Sequence, residues 1–210
     1  MKLPRKTLER QLFRSGYHYI YGVDEVGMGC LAGPVVVCAV AMTNAFYNKV
    51  HRKLYKLRES KLLLPAQRDK YSAELLKEKD LVYSLTYSYP KTIDRLNIYN
   101  AARDAMCRAV NKLKPNLELK SIVLVDGKHK IKKLKTEQMA IVKGDRKIFA
   151  IACASIIAKV YRDKMMEKYS KKYPGYGFEK HKGYGTKYHQ AQLTALGPCD
   201  IHRRSFRLRY

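Results

Sequence analysis

Four acidic side chains carry the chemistry of this sequence. Asp24 and Glu25 stand together after an apolar lead-in, Tyr19 to Val23, and are followed by three glycines within seven residues: Gly27, Gly29 and Gly33. Asp126 closes the apolar run Ser121 to Val125, and Asp145 lies in Val142-Lys143-Gly144-Asp145. Strand ends on one edge of an α/β sheet line a common crevice. Carboxylates gathered there repel one another unless cations neutralise them. Hard divalent cations with oxygen ligands meet that need, Mg²⁺ first. Two such ions about 4 Å apart activate a water and stabilise the leaving oxygen in phosphodiester cleavage. Singly, each acid has a plainer reading as a turn or cap residue, and an acid such as Asp145 ahead of a helix is favourable without any function. Their joint placement points to metal chemistry.

The elements that position these acids read as an α/β domain. Neighbouring side chains on a strand point to opposite faces, so at least one of Asp24 and Glu25 aims into a site. Pro34 to Thr43 is almost wholly apolar and reads as a strand buried on both faces. Residues 48–61 read as basic and irregular. A helix is expected from Pro65 to about Lys79, with proline in its first turn. Leu81 to Tyr89 alternates as a half-exposed strand. Thr92 reads as the N-cap of a long helix through Leu113, ended by Pro115. Ser121 to Val125 is a buried strand, and Met139 to Val142 a short extended one. A helix from about Phe149 to Lys172 begins with a small, apolar half. Residues 173–186 read as loop and Lys187 to Leu196 as a last helix. Residues 1–18 form a basic N-terminal segment and 19–210 a single domain.

The 210 residues carry 43 Lys and Arg against 18 Asp and Glu, a net charge of +25. Such an excess repels itself unless a polyanion is near, so nucleic acid is the expected partner. A basic ribosomal or chromatin-like binding protein shares the charge but has no use for clustered strand-end acids. Met1 to Ser15 is basic without the apolar core of a signal peptide. No apolar run is long enough to span a membrane. Five scattered cysteines show no zinc spacing and suit a reducing compartment, so a cytoplasmic protein is expected.

These residues resemble the ribonuclease HII family, the type 2 ribonucleases H. The likeness runs from about Tyr19 to Phe206. It rests on GVDEVGMGCLAGPVVVCAV, RESKLL at 58–63, TIDRLNIYNA, VLVDGK, VKGDRKIFAIACASIIAKVYRD, YPGYGFEKHKGYGTKYH and GPCDIHRRSF, in family order. It implies a ribonuclease H-like fold, a mixed central sheet flanked by helices. It also implies Mg²⁺- or Mn²⁺-dependent hydrolysis of RNA in RNA–DNA hybrids and at ribonucleotides embedded in duplex DNA, leaving 5′-phosphomonoesters. A protein of the same fold used mainly for binding is the alternative. The resemblance makes Asp24, Glu25, Asp126 and Asp145 the catalytic metal ligands. It makes Gly27, Met28, Gly29, Lys61, Lys143 and Tyr184 substrate contacts. Read alone, Tyr184 is a loop anchor, Asp163 a structural helix residue, and His202, Arg203 and Arg204 a basic surface patch. The expected state is a monomer with no sliding-clamp motif.

Two departures stand out. The family's Gly-Arg-Gly, tied to sensing the ribose 2′-hydroxyl, is here Gly27-Met28-Gly29. Its Asp-Ser-Lys-Lys is here Glu59-Ser60-Lys61-Leu62. Backbone groups remain at the first site, but the guanidinium fork is gone. The resemblance therefore locates change at junction recognition, not at the acids.

Overall fold

The computed structural model describes residues 7–54, 63–114 and 118–206. Lys61, the rest of its motif through Leu62, and Pro115 lie outside them. The elements run α1 (Thr7–Arg14), β1 (Tyr19–Val26), β2 (Val35–Met42), α2 (Asn44–Lys53), α3 (Pro65–Lys77), β3 (Val82–Ser88), α4 (Pro90–Leu96), α5 (Ile98–Lys112), β4 (Ser121–Asp126), β5 (Glu137–Ile141), α6 (Phe149–Lys172), α7 (Phe178–His181) and α8 (Lys187–Leu196). The sheet order is β3-β2-β1-β4-β5. β1 pairs antiparallel with β2 and parallel with β4; β2–β3 is antiparallel and β4–β5 parallel. This is the expected mixed sheet flanked by helices.

Strand alternation divides the core in two. Ile20, Val36, Cys38, Val40, Ile122 and Leu124 face one layer with the N-terminal half of α6. Tyr21, Val23, Val35, Val37, Ala39, Val123 and Val125 face the other, with the alanines of α5. Each fully buried aliphatic side chain contributes about 1.5–3 kcal/mol. α6 lies very close to the sheet because Gly22 has no side chain: a Cβ there would run into the Ala150 backbone.

On the opposite layer the buried face of β3 is its hydroxyl face. Ser84, Thr86 and Ser88 donate to the carbonyls of Ala109, Ala105 and Ala101 at 2.5, 2.7 and 2.8 Å. Small side chains on both partners let α5 approach, and each of these three buried hydroxyls is satisfied. The tyrosine face is only partly covered, and Tyr87 stacks on Tyr161 of α6 at 5.6 Å.

Three local expectations need correction. The stretch read as irregular from 48 holds most of α2. Thr43 caps that helix by accepting from the Phe46 amide, and Phe46, Tyr47, Val50 and Leu54 bury one face. The basic residues between them hide this stripe. The long helix expected from Thr92 is two helices, broken at Asn97. Asn97 takes φ 63° and its side chain accepts from the Asn100 amide, so it caps α5, while Thr92 lies inside α4. At φ 63° and ψ 162° Asn97 stands outside both helical regions, and its side-chain cap starts the second helix afresh. The loop expected over 173–186 contains the short helix α7.

α1 falls within the segment set apart at 1–18. Its Glu9 and Leu12 are buried, and Glu9 Oε1 accepts the Phe149 amide at 2.6 Å and the Ala150 amide at 3.4 Å. Ile148 offers no side-chain cap to α6, so an acid from α1 satisfies the start of that helix. Among the described residues no helix is long and apolar enough to cross a membrane.

Candidate active site

Asp24 and Glu25 lie inside β1, not beyond it. Pairing with β2 continues through Asp24↔Cys38, Glu25↔Val37 and Val26↔Val36, which keeps the acids in extended backbone. Asp24 shares the face of Ile20 and Gly22, toward α6. The parallel pairing of β1 with β4 runs to Val23↔Val125, so one residue further on both strands come Asp24 and Asp126. β4 also extends through Asp126. Two adjacent parallel strands thus carry carboxylates side by side on the same face, Asp24 two residues before the end of β1 and Asp126 at the end of β4.

Asp126 Oδ1 accepts the Gly144 amide at 2.6 Å, and Gly144 begins a single 3₁₀ turn, Gly144–Arg146. Asp145, in that turn, is buried, as is Asp24. Asp24 Oδ1 also accepts the Glu25 amide at 2.7 Å. Burial raises the Asp24 carboxyl well above its ordinary range. The charges of Glu25 and Asp126 raise it further, a hydrogen bond from Ser155 of α6 opposes the rise, and Asp145 adds to it. The four sequence-predicted acids are therefore electrostatic neighbours. Among the described residues, no three Asp, Glu, His or Cys side chains already stand as a closed metal cage. The donor set nonetheless suits a hard divalent cation. It is all carboxylate oxygen, and positive charge relieves the repulsion that raises Asp24.

The loop beyond β1 forms one wall. Gly27 and Gly33 take φ +96° and +85°. Side chains at these positions would strike Arg162 and Met166. Met28 is half-buried and Gly29 exposed. Cys30 forms a bridge with Tyr184, and the Leu31 amide donates to the Gly183 carbonyl at 2.9 Å. The Tyr184 loop is thereby fixed beside the glycine loop. The Tyr184 ring is 37% exposed, with Lys159 Nζ at 5.8 Å and Arg162 Cζ at 6.0 Å from its centre. Lys143 is exposed, in a left-handed conformation directly ahead of the Asp145 turn. Asp163 pairs with Lys159 at 2.8 Å and lies 3.8 Å from Arg68, as suits a structural helix residue.

His202 and Arg203 are not part of a surface patch; both are buried, and only Arg204 of the three is exposed. The Arg203 guanidinium donates to the carbonyls of Gly33, Met28 and Gly27 at 3.0, 3.0 and 2.7 Å. Arg162, fully buried in α6, donates likewise to Pro34, Lys182 and Ala32 at 3.0, 2.8 and 3.1 Å. Sequence reasoning missed both supports, and Ser155 as well. Arg162 and Ser155 sit in motifs that were noticed, but no pattern in the chain distinguishes a buried arginine from its many exposed neighbours.

A model of the ribonuclease HII family matches residues 21–209. Ribonuclease HII of Caldicellulosiruptor bescii is 49% identical over 199 residues, covering 95% of this chain and 91% of that protein. The crystal structure of ribonuclease H2 from Pyrococcus horikoshii superposes with a TM-score of 0.74 at 26% identity, covering 90% of this chain and 93% of that one. The Archaeoglobus fulgidus ribonuclease HII, solved in complex with PCNA, gives 0.74 at 26% identity, covering 91% and 96%.

Proposed function

The chain belongs to the ribonuclease HII family, and we propose that Asp24, Glu25, Asp126 and Asp145 are its catalytic acids, acting on RNA in RNA–DNA hybrids and on ribonucleotides embedded in duplex DNA. It is a ribonuclease H, an endonuclease that hydrolyses phosphodiesters. The observation that carries the assignment of the acids is the side-by-side placement of Asp24 and Asp126 on two adjacent parallel strands, with Glu25 and Asp145 as electrostatic neighbours.

The four carboxylates would hold divalent ions, Mg²⁺ or Mn²⁺. When bound, such ions supply an activated water and charge balance for the scissile phosphate. The chain's own residues do the positioning. The Gly144 amide and the Ser155 hydroxyl hold Asp126 and Asp24 against the sheet, which limits the rotamers of both acids. The backbone of Gly27 to Gly29 offers amide donors to a ribose 2′-hydroxyl, the group that separates RNA from DNA. The Tyr184 ring, exposed at the edge of that loop, stacks on a sugar or base. Lys143 and Lys61 neutralise phosphates, and the charge of +25 supplies the nonspecific part of the affinity. The protein acts as a monomer in this reading.

Cleavage of both substrates, measured with Mg²⁺, with Mn²⁺ and with a chelator, tests the proposal. Metal-dependent cuts that leave 5′-phosphates, lost on Asp126→Asn, are the expected result. Binding to hybrid without metal-dependent cleavage would replace it with a binding role for the same fold.

A further inference from the structure

The segment Ile201–Phe206 lies against both substrate-facing loops. The Gly33 amide donates to the Ile201 carbonyl at 2.8 Å, and the Arg203 amide to the Leu31 carbonyl at 2.9 Å. Ala32 and His202 form a bridge. The Arg203 side chain, 3% exposed, points into the glycine loop, and its three nitrogens all donate to backbone carbonyls. The Phe206 ring lies under its guanidinium at 5.1 Å. Burying a cation is costly, and here all its donors are spent on holding these carbonyls.

The geometry of the peptide unit shows what is gained. In a planar trans peptide the C=O and the following N–H point in opposite directions. Fixing the Gly27 and Met28 carbonyls inward on Arg203 therefore turns the Met28 and Gly29 amides outward. Those amides are the donors that remain for a ribose hydroxyl when no arginine stands between the glycines.

His202 reaches the second loop. Its Nδ1 accepts the Cys199 amide at 3.0 Å, which places the ring proton on Nε2. His202 Nε2 faces His189 Nε2 at 3.1 Å, so His189 accepts there and carries its own proton on Nδ1. His189 Nδ1 then donates to the Tyr184 carbonyl at 2.9 Å. The contacts fit one set of neutral tautomers. Burial favours that set by lowering His189 to about 4 and His202 below its ordinary value.

We infer that the adjacent pair His202–Arg203 is a positioning unit for the reaction: it sets the outward amides of Met28 and Gly29 and the ring of Tyr184 in one register, and so determines how strongly cleavage depends on a single 2′-hydroxyl. The inference rests on the reading that the glycine loop and Tyr184 touch the substrate. A continuous hybrid presents many hydroxyls and many registers, whereas a lone ribonucleotide in duplex DNA presents one. Loss of register therefore falls mainly on the second substrate.

The test measures kcat and KM on a duplex with one embedded ribonucleotide and on a continuous hybrid. It uses the parent, Arg203→Ala, Arg203→Lys and Tyr184→Ala, together with the melting temperature of each. Arg203→Ala is expected to lower kcat/KM on the single ribonucleotide at least tenfold more than on the hybrid. Millimolar guanidinium is expected to restore part of that selective loss by refilling the cavity. Equal losses on both substrates, following the melting temperature and unrescued by guanidinium, would overturn the inference and leave Arg203 a fold residue. Should Arg203→Ala fail to fold, Arg203→Lys keeps the charge without the fork, and an unchanged substrate ratio in it overturns the inference equally. Tyr184→Ala separates the two levels. A parent-like ratio in Tyr184→Ala removes the substrate contact itself and the inference with it. A changed ratio there with parent-like Arg203 variants removes the inference alone.

Discussion

Asp126 Oδ1 accepts the Gly144 amide at 2.6 Å, and this bond joins the end of β4 to the turn that carries Asp145. Asparagine at position 126 keeps an oxygen for that amide but removes the negative charge. Asp126→Asn is therefore expected to fold normally and bind hybrid with nearly the parent affinity. Its kcat should fall by roughly 100-fold or more, since metal-assisted charge stabilisation is worth several kcal/mol. Single-turnover cleavage beside a binding titration checks this, and full activity in the variant removes Asp126 from the site.

Gly144 tests the same junction from the other side. A Cβ there would lie 2.6 Å from Ile151 Cδ1 and 3.2 Å from Asp126 Oδ1. Gly144→Ala should cost about 1–3 kcal/mol of stability through overpacking. It should also push the Asp126 carboxylate aside and lower kcat by roughly 10- to 100-fold, the usual cost of a misplaced catalytic group. Thermal melts and kinetics on one preparation decide, and parent-like kcat with lowered stability would show that the carboxylate has room to adjust.

The acids were legible because carboxylates are scarce in this chain and four of them fall where apolar runs end. Phe149–Lys172 was legible because its small apolar half admits only a packed helix. α2 was not, because Phe46, Tyr47, Val50 and Leu54 are spaced among lysines and arginines that read as loop. Asn97 was invisible as a break, since its side chain makes a cap only once the backbone has turned. Arg162 and Arg203 were unreadable for a further reason. Their partners are backbone carbonyls brought together by folding, and a carbonyl leaves no mark in a sequence.

Glu9 gives the fold a pH dependence. Burial raises its carboxyl from 4.5 to about 7, against the opposing amides of Phe149 and Ala150. Tyr47 and Cys153 face it, and both are raised by burial and by its charge; Arg10 acts on Tyr47 in the opposite sense. With the folded value above the unfolded one, the stabilisation is fully present below pH 4.5 and is lost as pH rises through about 7. The displacement corresponds to roughly 3 kcal/mol. Glu9→Gln should flatten this part of the profile. Melting temperatures of both proteins across the range are the check, and parallel curves would assign the slope to other groups.

Duplex affinity should fall steeply with salt, with log Kd rising against log salt at ~0.9 per neutralised phosphate. Lys143 is exposed beside the acidic cluster, so Lys143→Ala should weaken binding similarly on all sequences and reduce the slope by about 1. A slope equal to the parent's would mean that Lys143 touches no phosphate. A flat parent response would mean that the +25 charge serves something other than the duplex.

Met28 is the sharpest departure from the family pattern, and the structure gives its side chain a place. It is half-buried and packs against the core layer shared with α5, while its carbonyl is held by Arg203. An arginine here would add a charge-assisted hydrogen bond worth roughly 1.5–3 kcal/mol when well formed. That is about 10- to 100-fold in a rate constant. The same change gives up apolar packing, so Met28→Arg should lose some stability. It should nonetheless raise cleavage at a single embedded ribonucleotide more than on a continuous hybrid, because only the first substrate depends on one hydroxyl. Both substrates are to be cut by parent and variant at a single salt concentration, since added positive charge raises all affinities. An unchanged ratio would show that the amides turned outward by Arg203 do all the reading, and that Met28 serves the loop by packing alone.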